Sequence, residues 1–184
     1  MPSSQPDNNI HVDLPPASPE DGFGNVCTLD GMAVLNHLRT RAQLAHIQGQ
    51  VYDCLCTPEA RMMPLLESSK VAHRLNIMLR NWHSSIPPEF QVGAIASSMA
   101  RGHLFHIATL HLMYLECWLI VHGIYPSNAD CMMRITQYSR GRIDQSTTPS
   151  QLPPQSETWL ECVDQCRACL KLSLLSEVTE YAMW

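Results

Sequence analysis

The stretch "HLFHIATLHLMYLECWLIVHG", residues 103–123, is apolar around almost its whole circumference when it is wound into a helix. It is also long enough to cross a lipid bilayer. However, four histidines and Glu116 interrupt it, and no cluster of Lys or Arg flanks it, whereas membrane spans rarely tolerate so many polar groups. We therefore predict that a helix over residues 98–122 is buried at the centre of a bundle, and that the chain has no membrane partner.

Further helices are predicted on both sides of this central one, because apolar residues recur at intervals of three and four. The predicted set is a helix after Gly31 that Pro58 and Pro64 end, followed by helices at about 65–84, 98–122, 129–138 and 157–180. No stretch alternates with period two, so no sheet is predicted, and no internal repeat is present. The expected fold is all-α, an irregular bundle of about five helices.

Two segments are predicted to lie outside the bundle. Residues 1–29 hold five of the thirteen prolines together with Ser, Asn and Asp, a composition typical of disorder, so we expect a disordered leader. Residues 139–156 are rich in Pro, Ser and Gln, which is typical of a flexible loop. Thr158 and Glu161 then form a candidate capping box for the last helix. The helical domain is accordingly placed at 30–184.

Composition excludes several classes of protein. Charged residues make up only 16% of the 184 residues, against about a quarter in a typical soluble domain, so the chain either buries much of itself or sits against something larger. The net charge is −5 and basic residues form no block, so the chain is not expected to bind DNA or RNA. The first residues have neither a basic start nor an apolar run, so we expect no secretory signal, and the eight cysteines are interpreted as reduced, small apolar residues.

Three of these cysteines, Cys162, Cys166 and Cys169, have the C-x3-C-x2-C spacing of some iron–sulfur proteins. On a helix they lie within an arc of about 60°, and Cys162 and Cys169 are about 10.5 Å apart along the axis. Thiolates that share one zinc ion lie much closer together, and no Gly or Pro follows residue 157 to curl the chain around a cluster. We predict a stripe of core cysteines, and an iron–sulfur or metal enzyme that uses these three residues remains a remote alternative.

Other candidate sites are weaker. His103 and His106 could offer two nitrogens to a metal ion, but His111 points elsewhere on the helix. Cys54 and Cys56 form one C-x-C pair with no matching second pair. Since the sequence also lacks the common nucleophile, zinc-protease and phosphate-loop motifs, we predict no catalytic residue, no metal site and no cofactor in this chain, and hence no enzyme.

Four segments together resemble the fungal-specific transcription factor domain. They are "LAHIQGQVYDCLC" at 44–56, "LNIMLRNWHSSIPPEFQ" at 75–91, the central stretch at 103–123, and "TWLECVDQCRACLKL" at 158–172. The residues that carry the likeness are Gln48, Tyr52, Trp82, Pro87, Pro88, His103 and Cys162. The chain departs from the family after the central helix, where "HGIYPS" replaces an Arg-Pro dipeptide.

The resemblance implies the regulatory middle region of a zinc binuclear-cluster regulator. Such proteins are nuclear and mostly dimeric, and they bind DNA through a separate module built on six cysteines and two zinc ions. We find neither that module nor the upstream half of the regulatory domain in this sequence, so zinc is expected only in the absent module. Either the chain is a fragment, or it is a short relative that regulates without touching DNA.

The partners expected from the resemblance are proteins: the remainder of a regulatory domain, a second copy of the chain, or another regulator. A small-molecule effector is also compatible with a bundle core. Where the missing half would pack, we expect an exposed apolar surface. The alternative is a free-standing helical interaction protein without a DNA-binding module.

Overall fold

The computed structural model describes residues 13–95, 99, 101–123 and 157–175. Its elements are strands β1 (Asn25–Cys27) and β2 (Val34–Asn36), helix α1 (His37–Val51) with a π-helical turn (Tyr52–Cys56), helices α2 (Pro58–Arg61) and α3 (Leu65–Ser84), a 3-10 turn (Pro88–Phe90), and helices α4 (Arg101–Val121) and α5 (Glu157–Leu175). The predicted all-α class with about five helices is confirmed.

Local side-chain hydrogen bonds determine where the first helices begin. The Asn36 side chain accepts from the Arg39 N–H at 3.0 Å and caps α1. Thr57 caps α2 in the same way through the Ala60 N–H at 3.1 Å, and Pro58 occupies the first turn, where its missing N–H costs nothing. Pro58 was expected only to end a helix, and in the structure it also begins the next one.

The long helices run up and down around α4. The rings of His37 and His106 lie 5.3 Å apart, so α1 and α4 begin side by side. Near the other end of both helices, the side chain of Gln48 lies next to the thiol of Cys117, so α1 and α4 are parallel.

Helices α3 and α5 run in the opposite direction. Trp82, near the end of α3, bonds to Thr40 near the start of α1, so α3 is antiparallel to α1. Glu161, near the start of α5, acts electrostatically on Tyr114 and on His122 just after α4, whereas Cys169 further along α5 acts on Tyr114 and not on His122. Helix α5 is therefore antiparallel to α4.

Helix α4 is the element that the others cover, since it packs against α1, α3 and α5. Its buried members of the apolar core are Leu104, Ile107, Ala108, Leu110, Tyr114, Cys117, Trp118 and Val121. The helix has the length and apolarity of a membrane span, as many core helices do, and over half of its most apolar window is buried in the protein. Gly123 ends the helix with φ of +71°, a left-handed conformation that favours glycine.

A small antiparallel hairpin corrects two predictions. Strands β1 and β2 pair with Val26 opposite Leu35, and both of these side chains are buried. The expectation of no sheet is therefore wrong at this one place, and the leader predicted over 1–29 is wrong for its last part, where β1 packs on the bundle. Val26 and Leu35 are enough to attach the hairpin to the bundle, because the pairing of the strands places both side chains in the core.

Because residues 34–36 form β2, the first helix begins at His37 and not soon after Gly31 as predicted. Gly24 makes this tight start possible, because its φ is +79° and a Cβ there would lie 2.7 Å from the Cβ of Leu38. The predicted helix at 129–138, the loop at 139–156, the leader residues 1–12 and the Thr158 side chain lie outside the described residues.

The buried side of α3 generates a stability prediction. Leu79 is completely buried in the core, so Leu79→Ala should lower the free energy of unfolding by about 3 kcal/mol, because a cavity replaces its contacts. Urea unfolding followed by circular dichroism measures this change. The control is Leu170→Ala on α5, where the leucine is 63% exposed and a change of under about 0.5 kcal/mol is expected. Equal losses for the two variants would contradict the observed packing.

Candidate functional site

The residues that carry the family resemblance do not converge on one point. Trp82 and Cys162 are buried in the core, Gln48, Pro87 and His103 are half-buried, and Tyr52 and Pro88 are exposed. A ring nitrogen of His103 lies 3.4 Å from the Cys27 carbonyl oxygen, near the hairpin, whereas Gln48 contacts Cys117 towards the opposite end of α4. These residues are spread along the bundle, and their family roles stay predictions.

Trp82 joins α3 to α1. Its indole Nε1–H donates to the Thr40 carbonyl oxygen at 3.0 Å in a buried position. Since a buried indole N–H without a partner would cost free energy, this bond accounts for a tryptophan at a core position where α3 and α1 meet.

The Pro87-Pro88 element joins α3 to α4. After Ser84 the chain turns, and the Gln91 side chain donates to the carbonyl oxygens of His83 and Ile86 at 2.9 and 3.1 Å. The turn buries the Phe90 ring completely and brings the Phe90 carbonyl oxygen to 2.8 Å from Nε2 of His111. The consecutive prolines thus restrict a turn whose backbone satisfies a buried histidine of α4.

Four rings meet where α3 faces α4, and we call Trp82, His83, His111 and Tyr114 the ring cluster. The Tyr114 ring stacks on Trp82 with centroids 5.6 Å apart and on His83 at 4.7 Å. His83 meets His111 edge-on at 6.1 Å. Stacked and edge-on pairs of this kind stabilise a core beyond the area they bury.

Burial keeps the titratable members of the ring cluster uncharged at neutral pH. It lowers the pKa of His111 to about 4, an effect that the bond to the Phe90 carbonyl opposes and the neighbouring His83 reinforces. Burial also lowers the pKa of His83. It raises the pKa of Tyr114 to about 12, with a smaller contribution from Glu161.

This electrostatic state limits the chemistry of the cluster. Because the Phe90 carbonyl can only accept, His111 donates from Nε2 and leaves Nδ1 as a buried acceptor with no hydrogen-bond partner among the described residues. A base with a pKa near 4 and a phenol with a pKa near 12 are poorly matched to proton transfer at neutral pH. The arrangement is suited to packing and hydrogen bonding.

The cysteines lie along the same core. Cys162 and Cys169 of α5 are buried and Cys166 between them is half-buried, all on one continuous helix, so the predicted helical stripe is confirmed. Burial raises the pKa of Cys169 to about 11 and that of Cys117 to about 12. Across the described parts of the chain, no three His, Cys, Asp or Glu side chains come close enough to hold a metal ion.

Sequence reasoning missed most of the ring cluster. Trp82 was singled out, but His83, His111 and Tyr114 were not grouped with it. The available signal was that His111 and Tyr114 lie three residues apart on one face of a helix that is otherwise almost wholly apolar. A polar group placed there must find a partner, and the sequence does not show that Phe90 supplies it.

Comparison with known proteins identifies fungal relatives. The chain is 28% identical over 138 residues to an ABC-transporter-regulating transcription factor of Aspergillus oryzae. It is 27% identical over 138 residues to the protein of the same name in Aspergillus fumigatus. Each match covers 75% of this chain but only 15% of the relative's length. No family model matches the chain, and no solved structure matches it.

Both relatives are named as regulators of ABC transporters, and that name belongs to the whole proteins. The chain corresponds to a small part of them, so the specific regulatory domain remains a prediction.

The buried state of His111 predicts a pH dependence of stability. Its pKa is about 4 in the folded protein against an ordinary 6.5, so below pH 6.5 the unfolded chain binds a proton that the folded chain does not. The contribution of the neutral His111 ring to the free energy of unfolding is fully present above pH 6.5. It is lost as pH falls to about 4, and the total loss is about 3 kcal/mol. Urea unfolding between these pH values should show a shallower slope for His111→Gln than for the natural protein.

The control for this slope is Asn81→Gln, since Asn81 is exposed near the end of α3 and the substitution changes no titratable group. Identical slopes for His111→Gln and the natural protein would show that His111 is not buried as a neutral ring.

Burial also predicts an order of cysteine reactivity. At pH 8 a thiol reagent should modify the half-buried Cys54 and Cys166 at least about 100-fold faster than the buried Cys117 and Cys169, because the thiolate is the reacting form. Peptide mapping by mass spectrometry follows each site. In guanidinium chloride the difference should vanish. A fast reaction of Cys117 in the folded protein would contradict its position under α1.

Proposed function

We propose that this chain is a helical regulatory region of a fungal transcription regulator, which controls transcription through protein contacts and does not itself bind DNA. The observation that carries this proposal is its similarity, over three quarters of its length, to two ABC-transporter-regulating transcription factors. The proposed site of action is the nucleus. In this proposal the zinc and the DNA contacts belong to a module outside the matched region.

The net negative charge of the chain supports the proposal that it does not itself bind DNA. A protein that grips DNA gathers Lys and Arg to neutralise several phosphates. This chain has 12 basic against 17 acidic residues, and its overall charge repels a phosphate backbone. Sequence-specific DNA binding is therefore assigned to another part of the regulator.

Exposed apolar side chains support the protein contacts. Met62, Leu65 and Leu66 at the corner between α2 and α3 are 86%, 84% and 72% exposed, and Phe23 and Met32 beside the hairpin are 72% and 85% exposed. Contiguous solvent-exposed side chains of this size, as at the α2–α3 corner, are typical of surfaces that pack against another protein segment. The relatives extend far beyond the matched region, and that remaining length offers such segments.

The ring cluster has a structural part in this proposal. It connects α3 to α4 through the Pro87-Pro88 turn and holds the solvent-facing side of α3 in a fixed position. The proposal therefore places recognition on the exposed faces and stability in the ring cluster.

Deletion of the coding region in the fungus tests the regulatory role. Loss of residues 13–175 should change the transcripts of a defined set of genes by at least about threefold, and the names of the relatives direct attention to ABC-transporter genes. RNA sequencing measures this change. A strain that carries Leu170→Ala is the matched control and should keep the natural transcript profile. A deletion strain with an unchanged profile would refute the role in transcription.

A second measurement tests whether the chain binds DNA alone. Fluorescence anisotropy of labelled promoter fragments should show no saturable binding of the purified chain at about 0.15 M salt, because non-specific affinity is weak without clustered basic residues. Submicromolar binding would contradict this part of the proposal.

A further inference from the structure

Helix α3 presents one face to the core and an opposite face to solvent. Leu75, Leu79 and Trp82 point into the core, and they lie on the side of the helix about 180° from Leu66 at 100° per residue. By the same rule Lys70, His73 and Ile77 lie within about 40° of Leu66, and all four side chains are exposed. The solvent side is therefore a single continuous stripe, which we call the α3 face.

Two apolar side chains mark the ends of this stripe. Leu66 is 72% exposed and Ile77 is 46% exposed, and eleven residues separate them, or about 16.5 Å along the axis. That distance equals three turns of a second helix laid along the stripe. The exposed Met62 and Leu65 extend the apolar end towards α2.

Basic side chains lie between and beside the two apolar ends. From Pro58 to Ser84 the chain has four basic residues, Arg61, Lys70, Arg74 and Arg80, and two acidic ones, Glu59 and Glu67, so this segment carries 4 − 2 = +2, while the whole chain carries −5. Lys70 lies inside the stripe and Arg74 borders it. In the described part of the chain, none of the four basic side chains pairs with a carboxylate.

The exposed side of α5 offers a comparison, because it also combines basic residues with an exposed leucine. It also has a leucine and two basic residues four apart, Leu170, Arg167 and Lys171. There, however, Arg167 already pairs with Asp164 at 3.6 Å, and the exposed Glu161 lies on the preceding turns. Arg167 of α5 is thus ion-paired within its own helix. On the α3 face Glu67 lies one turn before Lys70 and the Arg74 guanidinium lies 3.9 Å from the Cys54 sulfur, but among the described residues neither basic group has an ion pair of this kind.

We infer that the α3 face docks an acidic amphipathic helix of a protein partner, with apolar side chains about eleven residues apart. The partner's apolar side chains cover Leu66 and Ile77, and its flanking carboxylates face Lys70 and Arg74. Helices that lie in apolar grooves use anchors at helical spacing, and opposite charges fix their register. The inference rests on the proposed function in that it names the partner through which the regulator acts.

A nucleic acid is the rival occupant, since basic residues also attract phosphates. The two apolar ends argue against it, because phosphate-binding surfaces are polar and gather many more Lys and Arg. An exposed leucine and isoleucine would remain uncovered against a phosphate backbone, whereas a helix with an apolar stripe buries both.

A designed peptide tests the inference. The probe is a fluorescein-labelled helical peptide of about 18 residues, with leucines on one face and glutamates flanking them. Fluorescence anisotropy with the full chain should give a Kd of about 10–100 µM, and Lys70→Glu/Arg74→Glu should weaken binding at least about tenfold. Leu66→Ala should weaken it about fivefold, and higher salt should weaken it further.

Matched controls distinguish binding at the α3 face from non-specific binding of the peptide. Arg167→Glu/Lys171→Glu reverses two exposed charges at the same spacing and should leave the Kd within about twofold, as should Leu170→Ala. Circular dichroism confirms that each variant folds. A peptide of the same composition with scrambled order should not bind, because it lacks the apolar stripe.

Four results would overturn the inference: no binding of the designed peptide, equal binding of the scrambled peptide, equal losses in the α5 variants, or tighter binding of a labelled DNA duplex that Lys70→Glu/Arg74→Glu abolishes. The transcript measurements in the deletion strain do not depend on the peptide. Changed transcripts with no peptide binding would therefore remove this inference and leave the proposed function standing.

Discussion

The apolar circumference of α4 is the constraint on which the rest of the structure depends. A helix that is apolar on nearly all sides cannot remain in water, so it must be covered on several sides at once. Helices α1, α3 and α5 supply that cover. The buried faces of these helices, including the seam of cysteines on α5, follow from the need to present apolar stripes to one central helix.

Burial in the core deprives the His111 ring of water, and the turn after α3 supplies the hydrogen-bond partner that replaces it. A ring nitrogen at the centre of the core needs a partner, because an unsatisfied buried donor costs about 1–3 kcal/mol. The Phe90 carbonyl meets it at 2.8 Å. Pro87 and Pro88 restrict the backbone that positions this carbonyl, which gives the consecutive prolines a physical role in attaching α3 to α4.

Helix α3 therefore has two different sides. Its inner side carries Trp82 and the two leucines of the core, and its outer side carries Lys70 and Arg74, which have no ion pair among the described residues, between exposed apolar side chains. Because the inner side packs in the ring cluster, the helix is already formed when a partner docks, and the entropy cost of ordering its backbone is not part of binding. Stability and recognition are thus separated across the thickness of one helix.

The sequence by itself determined the helical class, the central position of α4 and the single stripe of cysteines, because these depend on spacing within one segment. It also led to the transcription-regulator resemblance, which the Aspergillus relatives support. Only the tertiary structure decided that β1 leaves the predicted leader to pair with β2, that Phe90 satisfies His111, and that Tyr114 stacks on both Trp82 and His83. Those contacts join residues far apart in the chain, and the periodicity of one segment contains no information about which distant group will complete its hydrogen bonds.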